Sequence, residues 1–342
     1  MKRINSLQGL RAIAFATVFL GHSGIFGLLT GMGVSIFFVL SGFLMVYNYM
    51  FRELPHGLKQ SFLFAASKTK KLYPLHIVMM IPMLGLALIG VVKNGSALIE
   101  LAYMIPKIVS NVFLIQAWIP VREYYFGLNG VAWYLSVTVF LYFCFPLIMR
   151  ILKSIKNKIV ILIISGGVLA LQFFAGYILD LPAFSFINTN WFTYIFPLYR
   201  LGDFLVGCCA GYYFVTHDES TFSLIKSSIL EALAILMLTG SCFISSFCSI
   251  PEGLNLFFKY LPGAVFLVFA LAQGNGVIAK VLSCKPIVWI GNISGYLYLI
   301  HQAMLNVFES TGLSGEIMVV CSLTSTIGFA LLYKKLIMRF GG

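Results

Sequence analysis

Arg11 and His22 lie eleven positions apart in one apolar run, Leu7 to about Leu29, and are the first candidates for chemistry in the chain. On a helix turning about 100° per residue, eleven steps make three full turns plus about 20°, so both side chains project from one face, about 16 Å apart along the axis. An ionisable group inside a membrane-length helix costs at least a few kcal/mol, so it faces the bundle interior and marks a substrate, ion or proton path. A histidine there can take and return a proton near neutral pH. An arginine can hold an anion. The bland alternatives are an Arg11 that snorkels to the interface and a His22 that is a packed, neutral imidazole.

Further polar groups interrupt other apolar segments. Ser41 ends the run Phe37-Phe38-Val39-Leu40-Ser41-Gly42, where a Ser-Gly step equally serves close helix approach. Trp133-Tyr134-Leu135-Ser136 opens another segment, with the aromatics of an interfacial belt as the alternative reading. Arg200 and Asp203, three apart, can neutralise each other on one helix face. Gly291, Ser294, Tyr298 and His301 follow helical spacing and form a polar stripe that brings a second histidine into an apolar segment.

These groups must be positioned by membrane helices. The 342 residues are 60% hydrophobic and 10% charged, with a mean hydropathy of +0.96; a soluble globule cannot hide that much apolar surface. The reading is all-α, a polytopic transmembrane helical bundle of about ten spans. They fall at roughly 7–29, 33–50, 74–92, 129–149, 159–178, 191–213, 228–247, 260–275, 290–308 and 317–333. The first is too long and too centrally charged for a cleaved signal peptide. Segment 97–118 is apolar but carries Glu100, Pro106 and Lys107.

Charge decides that segment. With ten spans and a cytoplasmic N-terminus, seventeen of the 23 Lys and Arg fall inside, including Lys68, Lys70, Lys71, Arg150 and Lys153, and only Lys93, Lys107, Arg122 and Lys259 fall outside. This fits the positive-inside rule. An eleventh span at 97–118 would invert every later helix, so it reads as a re-entrant or interfacial helix, and both termini as cytoplasmic. The stretch from His56 to Tyr73 alternates apolar residues with lysines, as in a helix along the inner interface. The net charge of +12 is thereby explained by topology, with no nucleic-acid partner, and suits membrane lipid and an anionic cytosolic donor.

Seven scattered cysteines carry no Cys-x-x-Cys pair and no metal-like spacing with histidine. Gly-x-Ser-x-Gly, phosphate-loop and His-Glu-x-x-His patterns are absent too, which removes the usual hydrolase, P-loop and zinc-protease chemistries.

The landmarks together resemble the integral-membrane acyltransferase 3 family. They are Leu7-Gln8-Gly9-Leu10-Arg11 with ten residues before His22, then Gly33 and Phe37 to Gly42, Tyr73-Pro74, and Trp133 to Pro146. Arg200-Leu201-Gly202-Asp203-Phe204 with Gly207, and Ile290 to Ser294 leading to Tyr298-Leu299-Ile300-His301, complete the series in the family's order.

The resemblance implies one integral-membrane acyltransferase domain over 1–342 without a separate soluble domain, in the bacterial inner membrane. It implies transfer of an acyl group, most often acetyl, from cytoplasmic acyl-CoA to a hydroxyl of a cell-surface or lipid-linked carbohydrate, with no metal. Arg11 and His22 carry over as functional residues. The family's basic pair before the third span maps to Lys70 and Lys71, where lysines replace the commoner arginines and lose a bidentate fork. Thr138 stands where a glutamate is frequent, and Gln8 where an aspartate is.

On this reading His22 is the first candidate for general base, and His301 the second, or the group that orients the acceptor. Arg11 holds a CoA phosphate or a polar pantetheine group, with Lys70, Lys71 and Arg200 as further anion contacts. Ser41, Trp133, Ser136, Asp203, Ser294 and Tyr298 support the site. Direct transfer and an acyl-His22 intermediate stay open. The competing class is a transporter or flippase using the same charged groups, for which paired broken helices and repeat symmetry are not evident. Acceptor identity, acyl length and oligomeric state do not follow from the sequence.

Overall fold

In a computed structural model, residues 2–27, 29–94, 97–216 and 222–340 are described. All regular structure among them is helical. The helices are α1 (Asn5–His22), α2 (Leu29–Tyr49), α3 (Leu58–Thr69), α4 (Tyr73–Asn94), α5 (Ala97–Val112), α6 (Arg122–Tyr125) and α7 (Trp133–Ser154). They continue as α8 (Lys158–Leu179), α9 (Pro197–Thr216), α10 (Leu224–Phe247), α11 (Glu252–Ala272), α12 (Val277–Leu282), α13 (Lys285–Ser310) and α14 (Gly315–Phe340).

Seven of these, α2, α4, α7, α8, α10, α11 and α14, are long and apolar enough to cross a membrane. Three more helices, α1, α9 and α13, have at least 18 residues but fall short in apolarity. They are the ones that carry Arg11 and His22, Arg200 and Asp203, and Ser294 and His301. What lowers their hydropathy is the polar constellation itself. All three are held in the centre of the bundle: α1 packs on α13 and α2, and α2 on α9 and α11. Helices α8, α10 and α14 lie outside, most of their apolar surface uncovered by protein.

Two segments depart from simple spans. The expected span 191–213 is broken: a π-helical turn, Trp191–Ile195, precedes an extended Phe196, and α9 starts afresh at Pro197. Proline lacks an N–H and disfavours helical backbone in the residue before it, so the ladder restarts there. Helix α5 folds back along α4. The Tyr73 hydroxyl donates to the Val112 carbonyl at 2.9 Å, and His76 Nε2 meets the Asn111 carbonyl at 3.0 Å, which places the end of α5 beside the start of α4. The chain then turns at Leu114, whose φ of 54° is left-handed. Its carbonyl accepts from the Ser136 hydroxyl in the first turn of α7. The segment thus runs back along α4 and turns at Leu114 toward the first turn of α7. The side chains of Lys93 and Glu100 lie outside the described residues.

Candidate active site

Helices α1 and α13 bring the sequence landmarks together. A Cβ on Gly291 would stand 1.8 Å from the Gln8 carbonyl oxygen, so glycine at this position lets the two backbones touch. The polar stripe of α13 then lies against the Arg11–His22 face of α1. Arg11 Nε donates to Ser294 Oγ at 3.2 Å. Three turns along, His22 Nδ1 and His301 Nε2 are 2.8 Å apart, with the rings nearly parallel.

The proton positions in this pair follow from chemistry. His301 Nδ1 lies 2.7 Å from the Tyr298 carbonyl, which can only accept, so Nδ1 carries a proton. In neutral His301 the other nitrogen, Nε2, is then an acceptor. His22 Nδ1 must donate to it, which leaves the lone pair of neutral His22 on Nε2. His301 is fully buried, and Phe15, Phe19 and Tyr298 pack around its ring. His22 is only partly covered and borders a cavity.

That cavity has a volume of about 780 Å³. Its walls combine aromatic rings, Phe126, Trp133, Tyr194 and Tyr260, with Asn190, Thr193, Asn255, Gln302, Asn306, Arg122 and Glu252. Asn255 Oδ1 is buried without a hydrogen-bond partner. A second, narrower slot of about 90 Å³ begins at Arg11 and is lined by Ser41, Lys68, Thr138, Tyr134, Tyr142, Ser294 and Tyr298. The rings of Tyr134 and Tyr298, centres 5.1 Å apart and tilted by 53°, stand on the slot's wall, and Tyr298 leans on His301. Slot and cavity therefore approach the histidine pair from opposite ends of α1.

The other expected residues sort by position. Ser41 faces the slot, 3.0 Å from the Tyr142 hydroxyl, while the neighbouring Gly42 abuts the Phe204 carbonyl of α9. Trp133 lines the cavity. Ser136 holds the turn at Leu114 and lines neither space. Lys70 and Lys71 are exposed and outside the slot; Lys68 lines it instead.

Arg200 is buried, with Nη1 2.7 Å from Asp203 and Nε donating to the Tyr194 carbonyl at 2.8 Å. Asp203 also accepts from Gln172 at 2.8 Å. Arg200 lines neither space. It ties the π-turn, and so the cavity residues Thr193 and Tyr194, to α9.

Gln302, Asn306, Asn255 and Tyr134 were not singled out by sequence reasoning. For the first two a signal exists, since amides four apart in an apolar segment continue the stripe beyond His301, and they hydrogen-bond each other at 2.8 Å. Arg122 and Glu252 sit in loop or helix-terminal positions that only the tertiary fold brings to the cavity.

The acyltransferase 3 family, described as an acyltransferase domain, matches residues 4–334. Among characterised proteins, the acyltransferase MdmB of Streptomyces mycarofaciens is 24% identical over 323 residues, covering 87% of this chain and 78% of its own. The peptidoglycan O-acetyltransferase OatA of Listeria monocytogenes is 25% identical over 328 residues, covering 89% of this chain and 50% of its own, so the chain spans about half that relative's length. No solved structure matches the chain. A match that runs nearly end to end and encompasses α1, α9 and α13 assigns the chain to the acyltransferase 3 family, as an acyl-transferring enzyme of the membrane.

Proposed function

We propose that the protein is a membrane O-acyltransferase that moves an acyl group, acetyl in the first instance, from cytoplasmic acyl-CoA to a hydroxyl of a cell-surface or lipid-linked carbohydrate. The observation that carries this reading is the His22–His301 pair, with the acceptor lone pair of His22 free on Nε2 at the edge of a large cavity. A sugar hydroxyl bound there gives its proton to His22 Nε2 while its oxygen attacks the thioester carbonyl. The new C–O bond forms as the C–S bond breaks, and the proton on His22 passes to the departing CoA sulfur. His301 Nε2 accepts from the imidazolium's Nδ1 proton throughout and holds the ring in orientation, as the third member of a nucleophile–base–orienter set does.

The donor enters from the slot and the acceptor from the cavity. Arg11, unpaired with any described carboxylate, meets a phosphate or the pantetheine arm at the inner end. Aromatic rings and amides around the cavity suit the apolar faces and hydroxyls of sugars. The name of one relative, a peptidoglycan O-acetyltransferase, agrees with a carbohydrate acceptor. Ten spans with both termini cytoplasmic, one domain throughout and residence in a bacterial inner membrane complete the proposal. Incubating purified protein with radiolabelled acetyl-CoA and lipid-linked glycans tests it. Label enters the glycan with wild type and not with His22→Ala; full transfer by that variant refutes the base.

A further inference from the structure

A third cavity, about 510 Å³, lies at the Arg11 end of the molecule, between the α2–α3 connection and the C-terminal part of α7. Arg52, His56, Arg150 and Lys153 rim it, with Glu53 as the carboxylate on its wall. Arg150 and Lys153 are three apart on α7 and so share a face. Lys153 Nζ donates to the Arg52 carbonyl at 3.1 Å and fixes the connection against the helix. Arg52, Arg150 and Lys153 form no ion pair with a described carboxylate. Like charges gathered around one basin repel, and a bound polyanion relieves that repulsion. Phe51, 78% exposed on the same wall, offers an open aromatic face.

The basin communicates with the slot through cations and rings. The Arg52 guanidinium lies 5.3 Å from the Tyr49 ring centre, and Lys68 Nζ lies 4.7 Å from it while donating to the Tyr49 hydroxyl. Lys68 is itself a slot residue. Along α2, Ser41 in the slot and Tyr49, whose ring carries Arg52, are eight residues, about 12 Å, apart.

We propose that this basin binds the 3′-phosphorylated adenosine end of the CoA donor, a purine nucleotide with phosphates at both the 3′ and 5′ positions. Arg150, Lys153 and Arg52 take the 3′-phosphate, Phe51 stacks on the base, and Lys68 meets the diphosphate as the arm enters the slot. This rests on acyl-CoA as donor, and it leaves Arg11 to the pantetheine arm rather than to a phosphate.

Equilibrium binding of adenosine 3′,5′-bisphosphate to the purified full chain in detergent tests the basin without a catalytic step. Wild type binds it more tightly than adenosine 5′-monophosphate, and the Arg150→Gln/Lys153→Gln double variant loses about tenfold in affinity for the bisphosphate only. Glu53→Gln tightens bisphosphate binding about two- to threefold, a gain that a misfolded protein cannot produce. Equal affinity in wild type and both variants overturns the proposal. So does competition by phosphatidylglycerol without discrimination between the two nucleotides, which identifies a lipid-phosphate site. If the basin behaves as described but no acyl-CoA supports transfer in wild type, the nucleotide site stands and the donor assignment falls.

Discussion

Among single residues, the histidine pair makes the sharpest demand. His301 never needs to touch a reacting atom; its work is to accept the His22 Nδ1 proton and keep Nε2 bare. A side chain with an acceptor oxygen can do part of this, and an isosteric apolar one cannot. His301→Leu is therefore expected to lower kcat by about a hundredfold, with His301→Gln recovering part of the loss and donor KM unchanged in both. Steady-state kinetics on the purified variants separates this from a merely structural role, which would give Gln and Leu equal effects.

Arg11→Lys keeps the charge but loses the planar fork, and the donor KM should rise about fivefold to tenfold with little change in acceptor KM. An unchanged apparent donor affinity would remove Arg11 from the donor side. The spacing of Arg11 and His22 was legible in sequence because an α-helix fixes their shared face whatever surrounds it. The sequence pattern points to Lys70 and Lys71 rather than to Lys68, because α3 ends at Thr69 and the direction of each lysine depends on that stop.

At the scale of helices, small residues set the distances on which those contacts depend. Gly291 is the point where α13 meets α1, and any side chain there must push backbone away from the Gln8 carbonyl. Gly291→Val should separate the stripe from α1, weaken Arg11–Ser294 and His22–His301 together, and destabilise the protein by roughly 1–3 kcal/mol. Thermal unfolding in detergent, read beside activity, checks that both fall. The Arg200–Asp203 pair answers a different question. With Arg200 at 2% exposure, Asp203→Asn leaves a buried guanidinium without its counterion, a change that typically costs about 3–5 kcal/mol. The expected result is lost folding yield, whereas a pure anion-binding role for Arg200 predicts normal yield with altered donor KM.

Hydropathy located α1, α9 and α13 as apolar segments, and their polar interruptions were the visible trace of the site. It could not reveal the π-turn before Pro197 or the descent of α5 to the level of His76. Both are decided by tertiary partners: Arg200 gripping the Tyr194 carbonyl, and Tyr73 and His76 holding the end of α5.

Across the whole molecule, the reaction depends on which end of the bundle faces the cytosol. The basic basin and the Arg11 slot share one end, and the large cavity with His22, Arg122 and Glu252 opens at the other. If the basic end is cytoplasmic, donor and acceptor approach the histidine pair from opposite sides of the membrane. Acyl transfer then needs no separate step to carry the acyl group across. Two native cysteines report on this directly. Cys248 is exposed in the connection between α10 and α11, beside the helix whose first residues, Glu252 and Asn255, line the large cavity. Cys284 is exposed at the start of α13, nearly five turns from His301 toward the Arg11 end. A membrane-impermeant maleimide should label Cys248 in intact cells and Cys284 only after permeabilisation, with Cys248→Ser and Cys284→Ser assigning each signal. The reverse pattern would place the basic basin on the outer surface, out of reach of cytosolic acyl-CoA, and the proposed donor route would fail with it.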